Sequence, residues 1–560
     1  YIGTGTFPTM SAAIYFHPEA YTTSGPKLMG RNAAGESFLR GYLQHSKTDT
    51  FWVQTVNQEH AEHFAKTAQS FGRNEPVKMV TKETLSALSN PGSIYLPGPG
   101  IGEHAYNRTA FGDRAWSLCG ITHTTSSAGA MDGIVDLITA PVHPWDAVIC
   151  TSTAVKDNVN RLLQAQADYL KQRLNIQQLV LPQLPVIPLG IHTDDFQFTE
   201  EQKAAARSAI GADEKTHVVM FMGRLSFHAK AHPLAMYQAL EQAAQKLPEG
   251  EKIVLVECGW FANDYIQNAY RDAAQQTAPS IRVVILDGRE ADDRLTAWAS
   301  ADLFCSLSDN IQETFGIVPI EAMAAGIPVV VSDWDGYKDT VRDEIDGFRI
   351  PTLMPAPGLA GDLALRHALE LDTYDMYCGH TCSLIAVDVE ATSEAFSKLF
   401  ASPELRAKMG AAGRQRAKEI YDWKAIIPQY ETLWQQLDEL RGQAPETAPL
   451  PQPWPARMDP FHGFANYPTT LLNAETPIKR VDADLAVALS RAQQYRQLAM
   501  VDFAKLVLPS DEELKTILSN TTTTPIPALE LVKGFAQERR PHLLRSLSWL
   551  VKLGILQVER

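Results

Sequence analysis

Residues 302–331 read DLFCSLSDNIQETFGIVPIEAMAAGIPVVV. The opening run, Asp302–Leu307, is apolar and of strand length. A polar loop follows, and then Phe315–Ala325 carries helical spacing before Pro328–Val331 turns apolar again. Strand, loop, helix, strand is a βαβ unit, two parallel strands beneath their connecting helix. The loop ends in Glu313, and Glu321 follows after seven intervening residues. A strand that leads through a glycine into a helix presents backbone N–H groups to an anion. Glu313 then stands at the mouth of such a site. Glu321 lies about two turns deeper on the same side, where a carboxylate can accept hydrogen bonds from vicinal hydroxyls. Two acids at one spacing also suit a solvated helix face, so the context decides.

The same rhythm runs outward from this unit. His217–Met222, Lys252–Glu257 and Ile281–Leu286 are further strands, with helices at Pro233–Lys246, Ala262–Gln276 and Asp292–Ser300. Upstream, Ala12–His17, Phe51–Val56, Val77–Val80, Ser93–Leu96, Trp116–Thr122, Asp146–Cys150 and Pro185–Pro188 form an earlier series, with helices such as Asp157–Gln172. Gly30–Gly35 reads as a loop before a helix at Glu36–His45, and Gly190–Phe196 separates the two series. The expectation is an α/β chain of two Rossmann-like doubly wound domains facing a cleft, with ligands at the carboxyl ends of the strands. The domains are placed at residues 1–196 and 197–422. A helix at 423–443 and a linker at 444–475 come next, residues 444–468 holding seven prolines. Residues 476–560 make a small, mainly helical domain, in which Pro527–Val532, Pro541–Leu550 and Leu553–Val558 resemble a winged helix.

Composition narrows the function. A formal net charge of −15 over 560 residues argues against a general nucleic-acid binder. No apolar run reaches the roughly 20 residues of a membrane span, and Tyr1–Met10 does not read as a signal peptide. Four of the six cysteines lie in apolar strand-like runs and read as buried thiols, which suits a cytoplasmic protein. Cys378 and Cys382, with His380 between them, lack a fourth metal ligand. His60 and His63 read as a solvated helix face. Arg539, Arg540, Arg545 and Lys552 give the C-terminal domain a basic surface that favours a protein partner over DNA.

A second motif stands at Gly223-Arg224-Leu225 with Lys230 shortly after. An arginine fork and a lysine point charge after a strand can hold a diphosphate and stabilise it as it leaves.

Residues 308–347, SDNIQETFGIVPIEAMAAGIPVVVSDWDGYKDTVRDEIDG, resemble the donor-site signature of the family 4 retaining glycosyltransferases of GT-B fold (glycosyl transferases group 1). The resemblance extends to Gly223–Leu225 with Lys230, to Val186–Phe196 and to Pro403–Tyr421 with Trp423, and covers roughly Ala12 to Leu440. It implies that Glu313 contacts the transferred sugar and Glu321 the ribose. It implies that Thr314, Phe315, Gly316 and Ile317 serve sugar and phosphate, and that His123 faces the donor sugar through ring or carbonyl. It also places Gly35 near the donor phosphate with Arg31 adding charge, and Arg289, in Gly288-Arg289-Glu290, near the base. Two departures stand out: Ala231 where the family often has glycine, and a longer segment at 351–387.

The expected reaction is transfer of a hexose-type sugar from a nucleotide-sugar donor, a UDP- or GDP-sugar, to an acceptor hydroxyl, without cofactor or metal. A sugar-nucleotide epimerase of the same fold and a non-catalytic sugar-nucleotide-binding scaffold are the rival readings. The expected partners are the nucleotide sugar and an acceptor that the sequence leaves unnamed, with no nucleic acid. Peripheral membrane association, and a homodimer or partner contact through the C-terminal domain, stay open.

Overall fold

Six short strands build the first half: β1 (Ala13–Tyr15), β2 (Phe51–Gln54), β3 (Val77–Val80), β4 (Ser93–Tyr95), β5 (Ser117–Ile121) and β6 (Ala147–Ile149). The computed structural model describes residues 11–21, 30–452 and 454–559. The readings of Tyr1–Met10 and of the Arg31 side chain lie outside the described residues. All pairings in this sheet are parallel, in the order β3-β2-β1-β4-β5-β6. The central strands are buried on both faces, as a sheet covered on both sides by helices requires.

The second half repeats the plan with β7 (Thr216–Met222), β8 (Lys252–Gly259), β9 (Arg282–Asp287), β10 (Leu303–Ser306), β11 (Val329–Ser332) and β12 (Gly347–Ile350). The order is β12-β11-β10-β7-β8-β9, again parallel throughout. The strand order reverses between β1 and β4 in one half and between β7 and β10 in the other, and such switch points open crevices at the carboxyl ends of strands.

The helices that matter for the site are α1 (Gly30–His45), α2 (Thr153–Leu174), α3 (Leu234–Ala244), α4 (Asp264–Thr277), α5 (Ile317–Ala324), α6 (Tyr374–Cys382) and α7 (Trp423–Gln443). α7 returns to the first half. Its Trp423 ring lies against the backbone of Gly41 and Gly190, and its indole N–H donates to Ser37 Oγ at 2.8 Å. Near its far end Arg441 donates to Gly92 O and Ser117 Oγ, both at 2.6 Å.

Three expectations change. Gly30–Gly35 is not a loop but the opening of α1. A Cβ on Gly35 would meet the carbonyl oxygen of Ala20 at 2.1 Å, so this glycine lets α1 pack on the 18–20 turn. Pro185–Pro188 forms no strand and makes a single bridge, Val186 to Cys150, because proline lacks the ladder's N–H donor. The proline-rich segment does not run free from residue 444. Leu450 N donates to Thr109 O at 2.8 Å, and Trp454 stacks on Tyr106 at 4.1 Å.

Residues 351–387 hold a short helix, Gly361–Ala368, and α6, between two paired strands, Thr352–Leu353 and Ala386–Val387. The chain divides into compact units at Trp454 and Pro455. Considered by itself, the second unit packs helices over a three-stranded antiparallel sheet of Pro477–Arg480, Ile526–Pro527 and Leu556–Val558. Ile478, Ile517, Leu531 and Leu547 lie in its core. Arg539 is bound bidentately by Glu513, which withdraws it from the basic surface read in the sequence.

Candidate active site

The carboxyl ends of β7 and β10 carry the two motifs into one place. Lys230 Nζ reaches Glu313 Oε2 at 2.8 Å, so residues 83 apart in sequence form one ion pair. Arg224 donates to Ala229 O at 2.8 Å, which folds the loop back over itself, and its second contact is Gln312 Oε1 at 3.5 Å. The polar loop after β10 is braced on several sides. Asn310 donates to His228 O at 3.0 Å, Trp334 Nε1 donates to Asn310 O at 3.0 Å, and Asp309 accepts the His232 N–H at 3.3 Å.

Burial alone would raise the Glu313 carboxyl. The Lys230 ammonium and the N–H groups of Thr314 and Phe315 outweigh that cost and hold it below its ordinary value. Glu313 is therefore an anion in the cleft. Glu321, one helix face deeper on α5, differs. Burial pushes its carboxyl up to about 7, with Arg294 pulling it down and Asp195 adding to the rise.

Gly316 caps α5 with φ of 86°. A Cβ there would meet the Tyr337 ring at 2.0 Å, so both the left-handed backbone and the space demand glycine. Phe315 is buried against Tyr421, which leaves its backbone rather than its ring to serve the cleft. Gly316 and Ile317 thus stand where the unpaired N–H groups of a helix start accumulate, while the Phe315 N–H is turned to Glu313. Arg289, at the end of β9, is exposed and bound bidentately to Asp287.

The first half contributes His123, two residues beyond β5. Its backbone carbonyl accepts the Thr314 hydroxyl at 3.1 Å, so the carbonyl is committed to the donor loop. Gly35 faces Ala20 O at the start of α1.

Sequence reasoning missed most of the residues that bridge the two halves. Ser152, the N-cap of α2, donates to Thr314 O at 2.8 Å, and Thr153 N donates to Asp339 at 2.7 Å. Asp335, with φ of 48°, accepts from Ser152 at 3.4 Å. Tyr374 on α6 shares a hydrogen bond with Ser126 at 2.9 Å, which ties the 351–387 segment to the opposite wall. Ser152 before a helical run is a readable cap signal, and Asp335-Gly336 a readable turn. Neither says that the partner lies in the other half.

All six cysteines are free and buried. Among the described residues no group of three or more His, Cys, Asp or Glu side chains is placed to hold a metal ion, and no helix is long and apolar enough to cross a membrane.

Residues 202–355 match the family model described as Glycosyl transferases group 1. That segment carries Arg224, Lys230, Glu313 and Glu321. The chain is 31% identical over 196 residues to a D-inositol 3-phosphate glycosyltransferase of Mycobacterium sp. (strain KMS), a match covering 34% of this chain and 42% of the relative. It is 29% identical over 205 residues to an uncharacterized glycosyltransferase of Methanocaldococcus jannaschii, covering 36% of this chain and 46% of the relative. The chain thus spans less than half the length of these curated relatives. Among solved structures, Anabaena HepE in complex with UDP is similar at a TM-score of 0.47 and 15% identity, covering 77% of this chain and 100% of that one.

Proposed function

We propose that the protein transfers a hexose-type sugar from a nucleotide-sugar donor, a UDP- or GDP-sugar, to an acceptor hydroxyl with retention at the anomeric carbon. The observation that carries the reading is the Lys230–Glu313 pair at the head of α5, beside Arg224 and opposite His123, within the segment that matches the family.

The roles follow from chemistry. Lys230, Arg224 and the N–H groups of Gly316 and Ile317 take the diphosphate. Glu321 accepts hydrogen bonds from the ribose, and Arg289 lies toward the base. Glu313, held ionised, and Thr314 take sugar hydroxyls. The bond from the anomeric carbon to the diphosphate oxygen breaks, and the acceptor oxygen bonds that carbon. The acceptor proton passes to the leaving diphosphate. Negative charge grows on the phosphate oxygens during this step, and fixed cations and dipoles aimed there stabilise the transition state more than the bound donor. With that charge met by the chain's own groups, the reaction proceeds without a metal.

A thermal-shift panel of UDP-, GDP-, ADP- and TDP-sugars tests the reading. One nucleotide raises the melting temperature, since a ligand at 100 times its Kd adds about 2.7 kcal/mol. No stabilisation by any of the four at millimolar concentration would defeat the proposal. With a donor identified, Glu313→Ala abolishes transfer, and the anomeric coupling in the product's NMR spectrum reports retention.

A further inference from the structure

Behind the donor loop, away from the cleft, α4 stands off from β8 and the edge strand β9 and leaves a cavity of about 520 Å³. Small-molecule sites run from about 300 to 1,000 Å³. None of the donor-site residues lines it. Tyr237 from α3, Phe261, Tyr270 from α4 and Ile285 from β9 give it aromatic and aliphatic walls, and Gln267, Arg271 and Gln275 of α4 line it too. Ile285, at the rim, is 45% exposed, a large apolar side chain open to water on an edge strand.

One polar group in the lining is a buried carboxyl. Glu257 of β8 is 1% exposed. Its Oε1 accepts the Tyr237 hydroxyl at 2.6 Å. Among the described residues no lysine, arginine or histidine pairs with it; Arg271, which also lines the cavity, contacts Asp272 and Asn268 instead. Burial pushes the carboxyl up to about 7, the Tyr237 bond pulling against the rise. A buried carboxylate without a cation is costly, and a cavity at its side leaves room for a ligand to supply one. Aromatic faces around a carboxylate are also the surroundings an organic ammonium seeks. Because Tyr237 already occupies Oε1, one oxygen is left. That suits a single N–H donor and not the two-pronged fork of a guanidinium.

We propose that this cavity binds a small organic primary ammonium with an apolar body, its charge on Glu257 and its body against Tyr237, Tyr270 and Ile285. The site has a route to the donor loop. The Tyr270 hydroxyl donates to the carbonyl of Ala231, the neighbour of Lys230, at 3.4 Å. A ligand that shifts Tyr270 therefore touches the loop that positions Lys230.

The full chain titrated by calorimetry and thermal shift with hexylamine and phenethylamine, beside hexanol and hexanoate, tests the proposal. Both amines bind and raise the melting temperature, and the alcohol and the acid at equal concentration do not. Glu257→Gln keeps the shape and an acceptor for Tyr237, and weakens amine binding at least tenfold. Ile285→Trp fills the mouth from an exposed position without touching the carboxyl. It produces the same loss, and it carries the test if Glu257→Gln does not fold. Amines that bind no better than hexanol, or amine binding that survives Ile285→Trp or a folded Glu257→Gln, would overturn the proposal.

Discussion

Each half of the molecule sets a cation against a carboxylate, and the two pairs sit at opposite ends of their sheets. In the first half Arg108 and Asp146 have side chains 0% exposed, in bidentate contact at 2.6 and 2.8 Å. Asp146 also accepts the N–H groups of Leu118 and His143, and Arg108 donates to Trp116 O and Pro141 O. This pair binds the amino ends of β5 and β6, away from the cleft. In the second half Lys230 and Glu313, 29% and 11% exposed, share one contact at the carboxyl end of the sheet. The same chemistry therefore serves two ends. A pair whose hydrogen bonds are nearly all made inside the protein can only hold the fold. A pair with spare donors facing a cleft can exchange its partner for a ligand.

The comparison breaks most visibly at Arg108. Arg108→Ala strands Asp146 in the core and costs about 3–5 kcal/mol in urea unfolding. A loss below about 1 kcal/mol would mean that the pair is not structural. Lys230→Ala should do the reverse. Transfer falls by about 10²–10³-fold, and the melting temperature drops less than in Arg108→Ala. If stability fell as far as in Arg108→Ala, the distinction between the two pairs would be lost.

Glu321 sharpens the contrast within the donor half. Its carboxyl is raised from an ordinary 4.5 to about 7, so it is protonated at pH 6 and ionised at pH 8. A ribose ligand must accept from hydroxyls, and nucleotide affinity therefore rises with pH across this window, by up to about tenfold. Titrations at pH 6 and pH 8 measure it, and Glu321→Gln flattens the difference. The smallest effect belongs to the bridge between halves. Tyr374→Phe removes the bond to Ser126 and costs about 1 kcal/mol. It should speed amide exchange around residues 124–126 while leaving nucleotide affinity unchanged.

The second half was the more legible of the two. Its strands are apolar runs, its turns are marked by glycines that the backbone requires, and Arg224, Lys230 and Glu313 lie in the loops that follow strands, with Glu321 on the helix beyond. The first half was read correctly in its six strands but misread at Gly30–Gly35 and at Pro185–Pro188. Glycines before a helix suggest a ligand loop, and only the packed structure reveals that Gly35 faces Ala20 O. Arg108 and Asp146 went unremarked for a similar reason. An arginine on a helix and an aspartate before a strand look solvated until their partners are known.

By itself the sequence determined two parallel sheets, the acidic and basic residues that follow strands of the second, and the resemblance of residues 308–347 to a glycosyltransferase donor site. These depend on which face of an element is apolar and which backbone needs glycine, and both are local properties. Tertiary structure alone decided that Lys230 meets Glu313, that Thr314 reaches the carbonyl of His123, that Tyr374 reaches Ser126, and that Glu257 lies beside a cavity without a cation. Periodicity encodes that a face is covered. It carries no record of what covers it, because the covering residue comes from a distant part of the chain.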